Sequence, residues 1–247
     1  MSLPHADAWI NHDGAEPSEA AHALILLHGR GADAAGMLSL ASALVDGLPG
    51  ADTWALVAPE ADGRTWYPER FIAPLWENQP HLDGARALIG RLLDELAAAG
   101  LDASRVVLGG FSQGACLALD VAARRGERLA GVLAFSGGLI GPPGTDFGAH
   151  GLSGTPVLLT SYDADPHIPL IRVEETARAL ARAGADVTTR VYRGAQHTIN
   201  ADALGHARTL LARAVVNFGL SPNEATPTEA DSTAADDAAD NAAETDA

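Results

Sequence analysis

The sequence predicts an α/β fold in which a mostly parallel central sheet carries helices on both faces. Three observations lead there. Short apolar runs of four to six residues recur between residues 23 and 192, each bounded by Gly, Pro or Asp. That is the pattern of strands buried on both faces. Between the runs lie longer stretches with apolar residues three and four apart, the period of helices packed on a sheet. The chain of 247 residues is 47% hydrophobic and 19% charged, enough apolar material for one large core.

The elements follow in order. Residues 8–12 read as an added edge strand. Residues 23–27 (ALILL) form the first long buried strand and run into the turn signal His28-Gly29-Arg30-Gly31. Strand 53–57 (TWALV) leads into loop 60–80, which holds Trp66, Tyr67, Phe71 and Trp76 with Pro68, Pro74 and Pro80. A helix is expected over 83–99, where Ala87, Leu88, Leu92, Leu96 and Ala99 share a stripe. Strand 105–108 precedes a helix-prone stretch over 115–123, and strand 130–135 follows. Segment 137–154 is short and rich in Gly and Pro, so no large cap domain is expected. Strand 156–160, helix 171–183, strand 187–192 and helix 201–217 complete the alternation. Repeated strand–helix units imply a mostly parallel sheet, and chemistry in such sheets gathers at the carboxyl ends of the strands.

The formal charge is −16, and all sixteen basic residues are Arg. So acidic a protein is repelled by a nucleic-acid backbone or an anionic membrane, so no nucleic-acid partner is expected. No apolar run reaches the length of a membrane span. Residues 1–13 lack the basic and apolar regions of a leader, which makes the cytoplasm the expected location. The single cysteine, Cys116, excludes a disulfide within the chain. Composition changes at Ser221: the residues from there to the end include eight acidic groups, no basic ones, and no Leu, Ile, Val or aromatic. Such a segment cannot bury enough apolar surface to offset its ordering entropy. The expected division is a folded domain over 1–220 and a disordered acidic tail over 221–247.

The most informative stretch is VVLGGFSQGA, residues 106–115. A buried strand runs into Gly110-x-Ser112-x-Gly114 and then into a helix, the strand–turn–helix setting of a nucleophile elbow. The bend is tight enough to strain the serine backbone, and side chains two positions away would meet neighbouring backbone, so glycine sits at both. Ser136, in the similar Ala134-Phe135-Ser136-Gly137-Gly138, is followed by Pro142-Pro143 and reads as structural.

A serine hydroxyl needs an adjacent base, normally His held by a carboxylate, with the acid and then the base later in the chain. His197 follows strand 187–192 and precedes the last helix, where a loop-borne base belongs. The acid is Asp163 or Asp165, both just after strand 156–160, and spacing alone leaves the two open. An oxyanion site needs two backbone N–H groups. Gln113, directly after the serine, supplies one, and Arg30, in the glycine-flanked loop after the first long strand, the other. The Arg30 side chain is expected to be solvated, with an anionic substrate group as the alternative contact. The aromatics of loop 60–80, Trp66 and Tyr67 above all, are expected to wall the site, with Phe111 and Ile168 beside them. Cys116, one helical turn past Ser112, reads as a small buried residue. No metal or cofactor is expected.

The chain resembles the carboxylesterase/phospholipase family of α/β-hydrolases, which includes acyl-protein thioesterases and lysophospholipases. The resemblance rests on LILLHGRGAD (24–33), GGFSQGA (109–115), DADPHIP (163–169) and YRGAQHT (192–198). It implies an α/β-hydrolase fold and a serine carboxylesterase acting on short- to medium-chain esters. It also implies Asp165 as the carboxylate of a Ser112–His197–Asp165 triad, and the N–H groups of Arg30 and Gln113 as the oxyanion hole. Family members often carry Leu where this chain has Arg30, and a Leu-like residue in place of His167. The expected partner is a small-molecule ester, with a second copy of the chain as the macromolecular candidate. Thioesterase or lysophospholipase activity stands as the alternative, as does a hydrolase-fold protein that binds a ligand without turning it over.

Overall fold

The computed structural model describes residues 2–219, so the acidic segment 221–247 lies outside the described residues. Seven strands form one sheet: β1 (Ile10–Gly14), β2 (His22–Leu27), β3 (Trp54–Pro59), β4 (Val106–Phe111), β5 (Gly131–Phe135), β6 (Pro156–Tyr162) and β7 (Asp186–Tyr192). Their order is β1-β3-β2-β4-β5-β6-β7. Only β1 runs antiparallel, beside β3; every other neighbour is parallel. Among the described residues five α-helices accompany the strands: α1 (Ala34–Val45), α2 (His81–Ala98), α3 (Gln113–Arg125) and α4 (Leu170–Arg182) between them, and α5 (Ala201–Gly219) after the last. This is the α/β-hydrolase fold, with no large cap domain among the described residues. Among the described residues, no helix is long and apolar enough to cross a membrane.

Strand alternation divides the core into two layers. Ala23, Ile25 and Leu27 face a cluster completed by α2, α3 and α4, while Leu24 and Leu26 face one completed by α1 and α5. All six residues of β2 are buried, and burial of each Leu or Ile contributes about 1.5–3 kcal/mol. Helix α1 has no counterpart in the sequence reading, because Ala34, Ala41, Leu44 and Val45 are its only buried residues and small residues weaken the stripe. Its start is marked by Asp33, whose carboxylate accepts from the Gly36 N–H at 2.9 Å. The edge strand begins two residues later than the sequence suggested. Helix α2 begins at His81, two residues before the expected start.

The chain passes from β2 outward to β3, returns to β4 on the other side of β2, and then builds away through β7. The two directions of winding part between β2 and β4, the place where open α/β sheets leave a crevice. Register pairs Leu27 with Gly110. The loops after these strands, His28-Gly29-Arg30 and Ser112-Gln113, therefore leave the sheet side by side.

Candidate active site

Ser112 stands between β4 and α3 with φ 54° and ψ −116°. A positive φ is costly for a residue with a Cβ, and the surrounding backbone explains why this one persists. A Cβ on Gly110 would lie 2.6 Å from the Leu27 carbonyl oxygen, and one on Gly114 would lie 2.2 Å from the same atom. Both glycines let the bend press against the end of β2. The Ser112 N–H donates to the Phe135 carbonyl at 2.9 Å, so the bend is tied to β5 as well. Ser136 also has a positive φ of 52° and is buried, with its N–H on the Thr160 carbonyl at 2.8 Å. No helix follows it.

Three loops bring the polar groups together. His197 Nε2 lies 2.8 Å from Ser112 Oγ, and its Nδ1 lies 2.7 Å from Asp165 Oδ2. The Asp165 carboxylate is fully buried. Its other oxygen accepts the backbone N–H groups of His167 at 2.8 Å and Ile168 at 3.1 Å. A buried carboxylate needs such partners to remain charged. Asp163 turns elsewhere and accepts from the Gly194 N–H at 2.8 Å, which pins the loop that carries His197. Phe111 and His167 pack on the His197 ring, with centroids 4.9 and 4.7 Å away. A proton on Nδ1 shared with Asp165 leaves Nε2 free to accept from the hydroxyl.

Neither the Arg30 nor the Gln113 backbone N–H carries a hydrogen bond to another described residue. Gln113 is the first residue of α3, where helical N–H groups have no partner within the helix. Its side chain is fully engaged: Oε1 accepts from the Trp66 N–H at 3.0 Å, and Nε2 donates to the Tyr67 carbonyl at 2.7 Å. The Arg30 guanidinium is exposed, as expected, and also donates to the backbone carbonyls of Tyr67, Pro68 and Glu69 at 2.7–2.9 Å. The two N–H-bearing segments thus hold loop 60–80 from both sides.

A cavity of about 310 Å³ opens above the serine. Tyr67, Phe111 and Ile168 line it as expected, and so do Phe71, Arg70 and His167. Trp66 does not. Its indole is fully buried and donates to the His28 carbonyl at 2.9 Å, so it backs the Arg30 loop from beneath the surface. Trp76 is 75% exposed and lies apart from the cavity. Cys116 reaches the cavity floor, where its sulfur accepts from the Gly138 N–H and burial pushes its thiol up to about 12. A thiol so protonated is a poor nucleophile.

Two buried histidines brace the same region, a role the sequence reading assigns to neither. His28 Nε2 accepts from the Ala61 N–H at 3.0 Å, and its Nδ1 bonds to the Gly29 carbonyl at 2.8 Å. His5 Nδ1 accepts from the Asp62 N–H at 3.0 Å, and its Nε2 bonds to the Trp66 carbonyl at 3.1 Å. The Trp66 ring lies between the two, 4.9 Å from His28 and 5.7 Å from His5. Burial lowers the basicity of both imidazoles. The sequence signal was slight: a histidine at the end of a buried strand, before a glycine.

Comparison with known proteins agrees with this architecture. A model of the phospholipase/carboxylesterase family matches residues 14–215. A phospholipase/carboxylesterase from Dyadobacter fermentans is 37% identical, with a TM-score of 0.79 over 85% of this chain and 99% of its own. Esterase PE8 is 30% identical, with a TM-score of 0.70 over 84% and 99%. The acyl-protein thioesterase 1 of Eremothecium gossypii is 29% identical over 78% of this chain and 88% of its own.

Proposed function

Since the chain belongs to the phospholipase/carboxylesterase family of hydrolases, we propose that it cleaves short- to medium-chain carboxylic esters through an acyl-enzyme formed on Ser112. The observation that carries this reading is the continuous contact from Ser112 Oγ through His197 to the buried Asp165, at 2.8 and 2.7 Å. Ser112 Oγ attacks the ester carbonyl while His197 Nε2 takes its proton. The electron pair of the carbonyl π bond moves onto oxygen, which lies toward the N–H groups of Arg30 and Gln113. As the tetrahedral adduct collapses, the bond to the alkoxy oxygen breaks. His197 returns the proton to that oxygen, and the alcohol leaves. Water then repeats the sequence on the acyl-serine, yielding the acid and free Ser112. Asp165 keeps the imidazole in the required tautomer and stabilises its positive charge in each half-reaction.

The acyl group occupies the cavity lined by Tyr67, Phe71, Phe111 and Ile168, whose size suits a short chain. A fluorophosphonate probe tests the nucleophile. Wild-type protein is labelled and Ser112→Ala is not; equal labelling of the two refutes the assignment. A matched panel of p-nitrophenyl esters and acyl thioesters then ranks the substrates. A burst of nitrophenol eliminates a binding protein without turnover. A preference for acyl thioesters would replace the ester reading with that named for the Eremothecium relative.

A further inference from the structure

We infer that β7 is a self-complementary edge through which two copies of this chain pair antiparallel, joining their sheets into one. The inference does not depend on the proposed chemistry. β7 ends the sheet, and among the described residues no element lies beyond it. α4 packs against one face of it, while α5 packs on β5 and β6, and five of the seven β7 residues are exposed. Its sequence, DVTTRVY, is nevertheless rich in β-branched residues, and Val191 is 44% exposed. A long, exposed strand of this composition is a template for another strand.

The backbone shows which groups are available. The Asp186 N–H donates to Thr155, and the Tyr192 carbonyl accepts from Asp163. In a parallel ladder with this register, the even-numbered residues turn their backbone toward β6. Val187, Thr189 and Val191 therefore turn their N–H and carbonyl groups outward. An antiparallel copy centred on Thr188 sets Val187 opposite Thr189 of the second copy, so the outward groups meet in hydrogen-bonded pairs. The same register sets Asp186 opposite Arg190, twice across the dyad. Neither side chain belongs to an ion pair among the described residues, and both are exposed. Charged side chains on an edge strand ordinarily discourage pairing with another strand. Here the charges have opposite signs at equal distances from Thr188, which makes a second copy the fitting partner.

Sedimentation velocity of the full-length chain, from about 1 to 100 µM, tests this. Wild-type protein is expected to form dimers that dissociate on dilution. Arg190→Asp and Asp186→Arg each turn two attractive contacts into repulsions and should weaken the dimer about tenfold or more. Mixing the two variants in equal amounts should restore association as a heterodimer, and the Asp186→Arg/Arg190→Asp double variant should restore the homodimer. Circular dichroism confirms that each variant is folded. A wild-type monomer at the highest concentration overturns the inference. So do dimers indifferent to both single reversals, or single variants that fail to associate when mixed.

Discussion

Asp163 and Asp165 stand two residues apart on the loop after β6 and hold different partners: Asp165 binds the His197 ring, and Asp163 binds the Gly194 N–H. Asp165→Asn keeps the shape but presents an amide that favours the wrong imidazole tautomer, so kcat should fall about 10³–10⁴-fold. Asp163→Asn retains an acceptor for Gly194 and should cost less than about tenfold. Steady-state rates on a p-nitrophenyl ester compare the two. Equal losses would mean that the carboxylates share one role.

The glycines around the serine make a second contrast. A methyl on Gly114 would lie 2.2 Å from the Leu27 carbonyl and 2.6 Å from that of His28, so Gly114→Ala must displace the elbow or β2. Melting temperature and activity should both drop sharply. Gly205, exposed in α5, has nothing within 4 Å of an added Cβ. Gly205→Ala should stabilise by about 0.5–1 kcal/mol through helix propensity, a rise of about 1–4 °C with activity unchanged. A lower melting temperature for Gly205→Ala would contradict the packing described for α5.

Arg30 offers a third test, because its backbone and side chain have separable tasks. Arg30→Met keeps the N–H proposed for the oxyanion hole but removes the bonds to the carbonyls of Tyr67, Pro68 and Glu69. The cavity wall loosens, and KM should rise about five- to tenfold while kcat changes less than about twofold. A selective loss of kcat would show instead that the guanidinium acts on the reacting group.

Acid should weaken the fold through His5 and His28. Burial holds both below the ordinary value of 6.5, and each accepts a backbone N–H that a protonated ring could not accept. The unfolded chain binds protons at these rings more readily than the folded one. Their stabilisation is therefore complete above 6.5 and is lost as pH falls below that value toward the lowered folded ones. Melting temperature should decline from pH 7.5 to 5.5. A flat or rising profile there would count against neutral, bonded imidazoles.

The sheet, its main helices and the serine elbow were legible because each has a local cause. Buried parallel strands read as unbroken apolar runs, and a strained bend demands glycine on both sides. That His197 and an Asp after β6 would meet Ser112 was legible too, but the choice between Asp163 and Asp165 needed a resemblance, since spacing is blind to which way a loop turns. The paths of Arg30 and Trp66 were not legible. Each is fixed by backbone atoms about 40 residues away, and no periodicity encodes such a contact. Helix α1 was missed because alanine-rich packing carries a weak pattern.

Gln113 ties two tasks into one residue. Its amide side chain grips the main chain of Trp66 and Tyr67, while its own main chain begins the helix beside the serine. A bulky guest that pushes Tyr67 outward must therefore tug on the N–H proposed to face the carbonyl oxygen. Misfit in the cavity is transmitted mechanically to the chemistry, so discrimination among guests should register in turnover as well as in affinity.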